Sequence, residues 1–182
     1  MRVIGGSCKG RILKAPKGLK TRPTQDRVRE ALFSIIMPEI PGSHFLDIFA
    51  GSGAVGIEAL SRGAAELTLI ENQKEALKVI RENLDKTGFF ANIFPCDVYQ
   101  ALKQLRQNEY LFEIVFMDPP YAKGFTEPVV ENLESIHILK PGGLLIIETS
   151  KEEAEPGNII RFQLQKQKVY GDTKLSFFRF QK

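Results

Sequence analysis

The 182-residue chain is 43% hydrophobic and 26% charged, the balance of a globular protein with enough apolar material for a core of its own. Its two cysteines, Cys8 and Cys96, form no CxxC pair, which excludes a disulfide framework or a zinc cluster and suits a reducing compartment. The net charge of +3 is unevenly spread: residues 1–22 carry Arg2, Lys9, Arg11, Lys14, Lys17, Lys20 and Arg22 and no acid, leaving 18 of the 25 basic residues against 22 acidic ones. A mildly acidic body with a basic arm is an electrostatic footprint for a polyanion. The opening MRVIGGSCKG has no apolar h-region and no run approaches the roughly 20 apolar residues of a membrane span, so a cytoplasmic protein is expected.

The basic arm has pattern. RVIGG and RILKAP are short extended runs around GGSCKG, a glycine-rich hairpin signal, with Val3, Ile4, Ile12 and Leu13 as its apolar positions. After RPT a helix is expected. Thr24 suits its N-cap, Asp26 falls in the first turn, and Val28, Ala31, Leu32, Ile35 and Ile36 recur on one face until Pro38 and Pro41-Gly42 stop it. Strand and helix then alternate. HFLDIFA reads as a strand, GSGAVGIEALSRG as a glycine turn opening a helix, and ELTLIE as a strand. NQKEALKVIRENLDKTG reads as a helix with Ala76, Leu77, Ile80 and Leu84 on one side. NIFPCD is a strand interrupted by Pro95, VYQALKQLRQ a helix, FEIVFMD a strand and EPVVENLESIHIL a helix. KPGG reads as a stop, LLIIETS as a strand, and IIRFQLQKQKVYGDTKLSFFRF as two antiparallel strands turning at Gly171-Asp172. Five alternations predict an α/β fold with a mostly parallel, doubly wound sheet ending in an antiparallel strand pair. The expected organisation is one domain over residues 1–182: a basic hairpin extension at 1–22, an N-terminal helix at 23–41 and an α/β core at 44–182.

In such sheets ligands bind at the carboxyl ends of the strands, near the switch in strand order. The first strand ends in Asp47-Ile48-Phe49-Ala50, followed by Gly51-Ser52-Gly53-Ala54-Val55-Gly56, a GxGxxG match, and Glu71 lies 20 residues beyond Gly51. An acid there suits a ribose diol. The pattern fits any adenosine-bearing cofactor and leaves NAD and S-adenosylmethionine (SAM) open. Asp47 favours SAM, because an acid beside the loop repels a pyrophosphate but attracts an ammonium and a cationic sulfonium. A capping role for Asp47 is the plainer alternative. Asp97, ending the third strand, suits an adenine amino group, with Val98 as a backbone contact. It equally suits the N-cap of the next helix.

The fourth strand ends in Asp118-Pro119-Pro120-Tyr121. Two prolines stop a strand and fix φ, but a rigid turn requires neither the acid nor the aromatic ring. The exocyclic amine of a nucleobase is a poor nucleophile because its lone pair is delocalised into the ring. Two acceptors, the Asp118 carboxylate and the Pro119 carbonyl, would hold that nitrogen nearer a pyramidal geometry. Pro119 and Pro120 pre-set the backbone and Tyr121 offers a stacking face. No metal or covalent nucleophile is required. His44 and His137 sit away from the expected strand ends and read as structural.

Taken in order, RVIGGSCKGRIL, RPTQDRVREALF, FLDIFAGSGAVGIEALSRGA and DPPY resemble the RsmD-type methyltransferases, within the class I SAM-dependent methyltransferases, from Arg2 to about Thr149. The resemblance implies a Rossmann-like fold, SAM as cofactor and methylation of the exocyclic N2 of one guanine in 16S ribosomal RNA. It implies cofactor contacts at Asp47, Phe49, Gly51, Ser52, Gly53, Glu71, Asn72, Asp97 and Val98, and a base pocket at Asp118, Pro119, Pro120 and Tyr121. The sequence offers no separate target-recognition domain. RNA is therefore expected on Arg2, Lys9, Arg11, Lys14, Arg22, Thr24, Arg27 and Arg29, either as free 16S rRNA or within an assembling small subunit. Three other readings stay open: an adenine-N6 methyltransferase using the same corner on DNA or RNA, an NAD-dependent oxidoreductase, and a non-catalytic RNA-binding assembly factor.

Overall fold

A computed structural model describes residues 1–16, 23–120, 124–157 and 159–181, and of residues 23–25 the backbone alone. Arg22 and Tyr121, both expected at the site, lie outside the described residues, as does the side chain of Thr24. The strands are β1 (His44–Ile48), β2 (Glu66–Ile70), β3 (Asn92–Phe94), β4 (Phe112–Met117), β5 (Leu139–Ser150), β6 (Phe162–Tyr170) and β7 (Thr173–Phe180). Among the described residues they form one sheet in the order β3-β2-β1-β4-β5-β7-β6. Strands β1 to β5 pair in parallel, and β7 runs antiparallel between β5 and β6. The helices are α1 (Pro23–Ile36), α2 (Ala54–Ser61), α3 (Lys74–Thr87), α4 (Val98–Gln107) and α5 (Thr126–Ile136).

The central strands read as near-continuous apolar runs because helices cover both faces of the sheet. On one face Val3 and Leu13 of the N-terminal hairpin, Val28, Leu32, Phe33 and Ile36 of α1, Ile57 of α2, and Ile80 and Leu84 of α3 pack on Phe45, Leu67, Leu69, Ile114, Phe116 and Ile146. On the other, α4 and α5 pack on Leu46, Ile48, Val115, Met117, Leu145 and Ile147. Residues of β1, β4 and β5 alternate between these two layers, as the strand period of two requires.

The hairpin is a single antiparallel bridge between Arg2 and Ile12, flanked by Val3 N–H to the Arg11 carbonyl at 3.0 Å and Leu13 N–H to the Met1 carbonyl at 3.0 Å. Val3 and Leu13 are buried, while Ile12 is 72% exposed. The hairpin docks on the C-terminal half of α2. Ser7 N–H donates to the Ser61 carbonyl at 2.7 Å and Cys8 N–H to Ser61 Oγ at 2.9 Å. Gly6 makes this approach feasible: its φ is +77°, and a Cβ there would lie 1.7 Å from the Ser61 carbonyl oxygen.

Three expectations change. Helix α1 begins at Pro23, so Thr24 falls in the first turn rather than at the N-cap; proline suits a first helical position because its missing N–H would have no partner there. KPGG does not stop the chain ahead of a strand. It lies inside β5, where pairing with β4 slips between Phe112 and Ile114 and Gly142 takes φ +75°; the two glycines permit this irregular start. Strand β7 is buried on both faces over 174–178, because it inserts beside β5 and leaves β6 as the outer strand. Strand β6 is largely exposed and carries Lys166 and Lys168, charges that discourage edge-to-edge pairing.

Candidate functional site

The order of strands reverses between β1 and β4, and the chain segments leaving these strands meet there. The turn after β1 explains its glycines. Phe49 has φ +65°, Gly51 +57° and Gly53 +74°, a run of left-handed conformations that glycine adopts at little cost and phenylalanine does not. A Cβ on Gly51 would meet nothing nearer than the Phe49 carbonyl oxygen at 4.0 Å, so open space lies above it. Gly53 packs on Ile80, Ile57 and Leu69. A Cβ on Gly56 would lie 2.6 Å from Leu67 Cδ1, so this last glycine lets α2 sit close on β2. One glycine faces space that a ligand can fill and two serve packing.

Acids surround this turn. Asp47 is 2% exposed, and its Oδ2 accepts from Gly56 N–H at 3.1 Å. Burial pushes its carboxyl up to about 8, against that hydrogen bond and with further help from the charges of Asp118 and Glu71. Glu71 is buried and fixes two loops: Oε2 accepts from Gly51 N–H at 2.8 Å, and Oε1 from Asn72 and Gln73 N–H at 2.9 and 2.8 Å. Asn72 itself is exposed. Ser52 points its hydroxyl to Met1 Sδ at 3.4 Å, and its carbonyl accepts from the buried Asn83 amide at 3.0 Å. Ser52 therefore links the turn to the hairpin and to α3. Asp97 is the N-cap of α4, with Oδ1 accepting from Tyr99 and Gln100 N–H at 3.0 and 3.1 Å. It is exposed, and Val98 behind it is buried.

Beside β1, the chain leaves β4 through Asp118, whose N–H approaches the Ile48 carbonyl at 3.5 Å. Pro119 is buried and Pro120 exposed. Surrounding protein pushes the Asp118 carboxyl up to about 7. Asp118 also keeps an exposed surface. The Phe49 ring lies 5.8 Å from that of Phe125, just before α5, which brings the loop after β1 against the segment after β4.

The expected basic surface divides. Arg2, Lys9, Arg11 and Arg27 are exposed. Arg2, Lys9 and Arg27, with Asp26 and Glu30, line a cleft of about 330 Å³ between hairpin and α1. Lys14 pairs with Glu82 at 2.5 Å and keeps half its side chain exposed. Arg29 is a correction. At 6% exposure it cannot present its charge to RNA. Its Nη2 donates to the Arg2 carbonyl at 2.6 Å and to Asp26 Oδ1 at 3.0 Å, and its Nε stands 3.9 Å from Glu58 Oε2 without a hydrogen bond. Arg29 thus joins α1 to the hairpin.

Two acids escaped the sequence reading. Glu58, with no exposed surface, accepts from Ile4 N–H, Gly5 N–H and Arg62 Nε, each at 2.7 Å, and holds the hairpin on α2. Glu148 follows the apolar run of β5 and stands electrostatically beside Asp118 and Asp47. Its signal was present in LLIIETS, where an acid interrupts an apolar run just as Asp118 does.

The strand order and the acid-rimmed glycine turn after β1 are those of the Rossmann-like methyltransferases. The family described as Conserved hypothetical protein 95 matches residues 1–179. Ribosomal RNA small subunit methyltransferase D of Escherichia coli K12 is 37% identical over 181 residues, 98% of this chain and 89% of that protein. The solved structure of a hypothetical protein from Thermus thermophilus superimposes with a TM-score of 0.85 at 33% identity, covering 97% of this chain and 98% of the other. The chain belongs to the family of ribosomal RNA small subunit methyltransferase D. In fold alone it also resembles a Thermus thermophilus 16S rRNA N2 methyltransferase, RsmC, solved with AdoMet and guanosine. That likeness has a TM-score of 0.70 at 24% identity and covers 91% of this chain and 45% of the other. Among the described residues no group of His, Cys, Asp and Glu is arranged to hold a metal ion, and no helix is long and apolar enough to cross a membrane.

Proposed function

We propose that this protein methylates the exocyclic N2 amine of a guanine in 16S rRNA, with S-adenosylmethionine as methyl donor. The observation that carries this reading, beyond family membership, is the meeting of two sets of groups where β1 and β4 part. Asp47, Glu71 and the Gly51–Gly53 turn lie on one side, and the Asp118-Pro119 acceptors on the other. The donor set fits the cofactor. Two buried acids beside open space above Gly51 suit a ligand that is cationic at both its ammonium and its sulfonium and carries no phosphate. When bound, SAM supplies an electrophilic methyl group.

In this reading Glu71 accepts from a ribose hydroxyl with the one Oε2 lone pair that its backbone donors leave free. Asp47 faces the cationic end, and the unengaged Oδ2 of Asp97 accepts from the adenine amine, with Val98, Asn72 and the Phe49 ring flanking. Asp118 and the Pro119 carbonyl accept the two amine N–H groups of the target base and aim its lone pair, while Pro120 and Tyr121 complete the corner. Alignment of this kind supplies up to about 7–11 kcal/mol in favourable cases. Arg2, Lys9, Arg11 and Arg27 hold RNA phosphates along the hairpin and α1, and Lys14 does so by leaving Glu82. The proposed substrate is 16S rRNA, free or within an assembling small subunit.

The test incubates SAM carrying a labelled methyl with free 16S rRNA and with unmodified small subunits, then identifies the labelled nucleoside by mass spectrometry. N2-methylguanosine is expected, and N6-methyladenosine or binding without turnover would overturn the reading. Asp118→Ala is expected to lower turnover at least about a hundredfold while SAM still binds.

A further inference from the structure

The acids at the strand ends are not equivalent. Asp47, Glu71 and Asp97 each accept from backbone N–H groups. Among the described residues no hydrogen bond engages the carboxylate of Asp118 or of Glu148. These two also lie side by side. Strands β4 and β5 pair in parallel with Met117 opposite Ile147, so Asp118 and Glu148 are the next residues of the same register. Register partners in adjacent strands project to the same face. Phe116 and Ile146, two residues earlier, pack on the α1–α2 side, which is therefore the side to which Asp118 and Glu148 turn. Asp47 shares it, being opposite Phe116 in the β1–β4 pairing. The corner that grips an amine thus has a second open acceptor one strand away.

We propose that Glu148 selects guanine: it accepts the ring N1–H while Asp118 and the Pro119 carbonyl hold the neighbouring N2 amine. This rests on the methyltransferase reading above and supplies what the Asp118–Tyr121 corner lacks. An amine held by two acceptors is equally well an adenine N6 or a guanine N2. The difference lies in the adjacent ring atom. Beside the guanine amine stands N1–H, a donor; beside the adenine amine stands N1 with a bare lone pair. A carboxylate at Glu148 bonds the first and faces the second lone pair to lone pair, so discrimination comes from repulsion as well as attraction. The protonation state of Glu148 matters, because an ionised carboxyl is acceptor-only. Burial, then the charges of Asp118 and Asp47, push Glu148 up to about 8, while Arg29 opposes them. A cation bound among these acids returns Glu148 to its ionised form, so cofactor binding sets the site for guanine. Arg29 acquires a function here, as the buried positive charge that favours ionised Glu148.

The test replaces the target guanosine, once mapped with wild-type protein, by 2-aminopurine. That base keeps the amine at C2 but has no N1–H. Free 16S rRNA and reconstituted small subunits carrying either base are methylated by wild type and by Glu148→Gln, and kcat/KM is compared within each protein so that losses in folding or SAM binding cancel. Wild type is expected to prefer guanine by about 10- to 150-fold, the effect of losing one hydrogen bond to a charged group. Glu148→Gln, whose amide presents a donor or an acceptor, is expected to bring the ratio within a fewfold of one. Equal rates of wild type on the two bases would overturn the proposal without any variant. So would a ratio that survives Glu148→Gln. Adenine as the methylated base would instead overturn the parent reading.

Discussion

Asp47 offers the sharpest check on the electrostatics of the site, because its burial and its proposed ligand role pull in opposite directions. Its carboxyl is raised from 3.8 to about 8, so between those values the native protein holds one proton more than the unfolded chain. The stability that this group contributes is complete below pH 3.8 and is lost as pH rises, by about 1.4 kcal/mol per pH unit, until pH reaches about 8. At pH 7 the loss amounts to about 4 kcal/mol. Asp47→Asn removes the titration and keeps an acceptor for Gly56 N–H. Its amide needs a new partner, at a cost of about 1–3 kcal/mol. The ligand-free variant is therefore expected to gain about 1–3 kcal/mol at neutral pH, roughly 2–10 °C in Tm for a chain of this size.

The decisive measurement is the slope. Urea or thermal unfolding of both proteins at several pH values from 5 to 7.5 should show a stability difference that widens in favour of Asn by about one proton's worth per pH unit. A flat difference would refute the assignment of that proton to Asp47. The converse holds for the ligand. Wild type should release protons on binding SAM, visible in calorimetry as a heat that depends on the buffer. Its affinity should rise with pH up to about 8, and Asp47→Asn should lose Asp47's share of that dependence along with affinity, while the share carried by Glu148 stays.

Asp97→Asn separates cap from ligand. The side-chain oxygen still caps Tyr99 and Gln100 N–H, so stability should stay within about 0.5 kcal/mol of wild type, while SAM affinity falls because the remaining amide group faces the adenine amine. Glu71→Gln should weaken SAM binding by about 10- to 150-fold, the loss of a charge-assisted hydrogen bond, as read by equilibrium dialysis. If three exposed cations of the hairpin touch phosphates, replacing Arg2, Lys9 and Arg11 by Ala should flatten the log–log salt dependence of RNA binding by about 2, at about 0.7 per contact for single strands. An unchanged slope removes the hairpin from the interface. Gly6→Ala forces a Cβ against the Ser61 carbonyl at φ +77°. Faster amide exchange over residues 3–13 should result, with exchange in β4 and β5 unchanged.

What the sequence disclosed, and what it withheld, divides by range. The alternation of strands and helices was legible because burial imposes periods of two and 3.6 over short windows, and α3 buries the very face its spacing indicates. The turn after β1 was legible because left-handed φ leaves glycines in the text. Asp47 and Asp118 stood out because each interrupts an apolar run. Arg29 was misread because two of its neighbours, Arg2 and Glu58, stand 27 and 29 residues away, and the local pair with Asp26 does not mark a helical arginine as buried. KPGG was misread as a stop because its irregularity belongs to the pairing with β4, not to the dipeptide signals themselves. Glu148 interrupts an apolar run as plainly as Asp118 does, yet its relation to Asp118 exists only through the β4–β5 register, across some 30 residues of chain. The two acceptors proposed to hold an amine, on Asp118 and Pro119, are thus written in consecutive residues. The acceptor that would tell guanine from adenine is written in the pairing of two strands, which is why the corner alone left the base open.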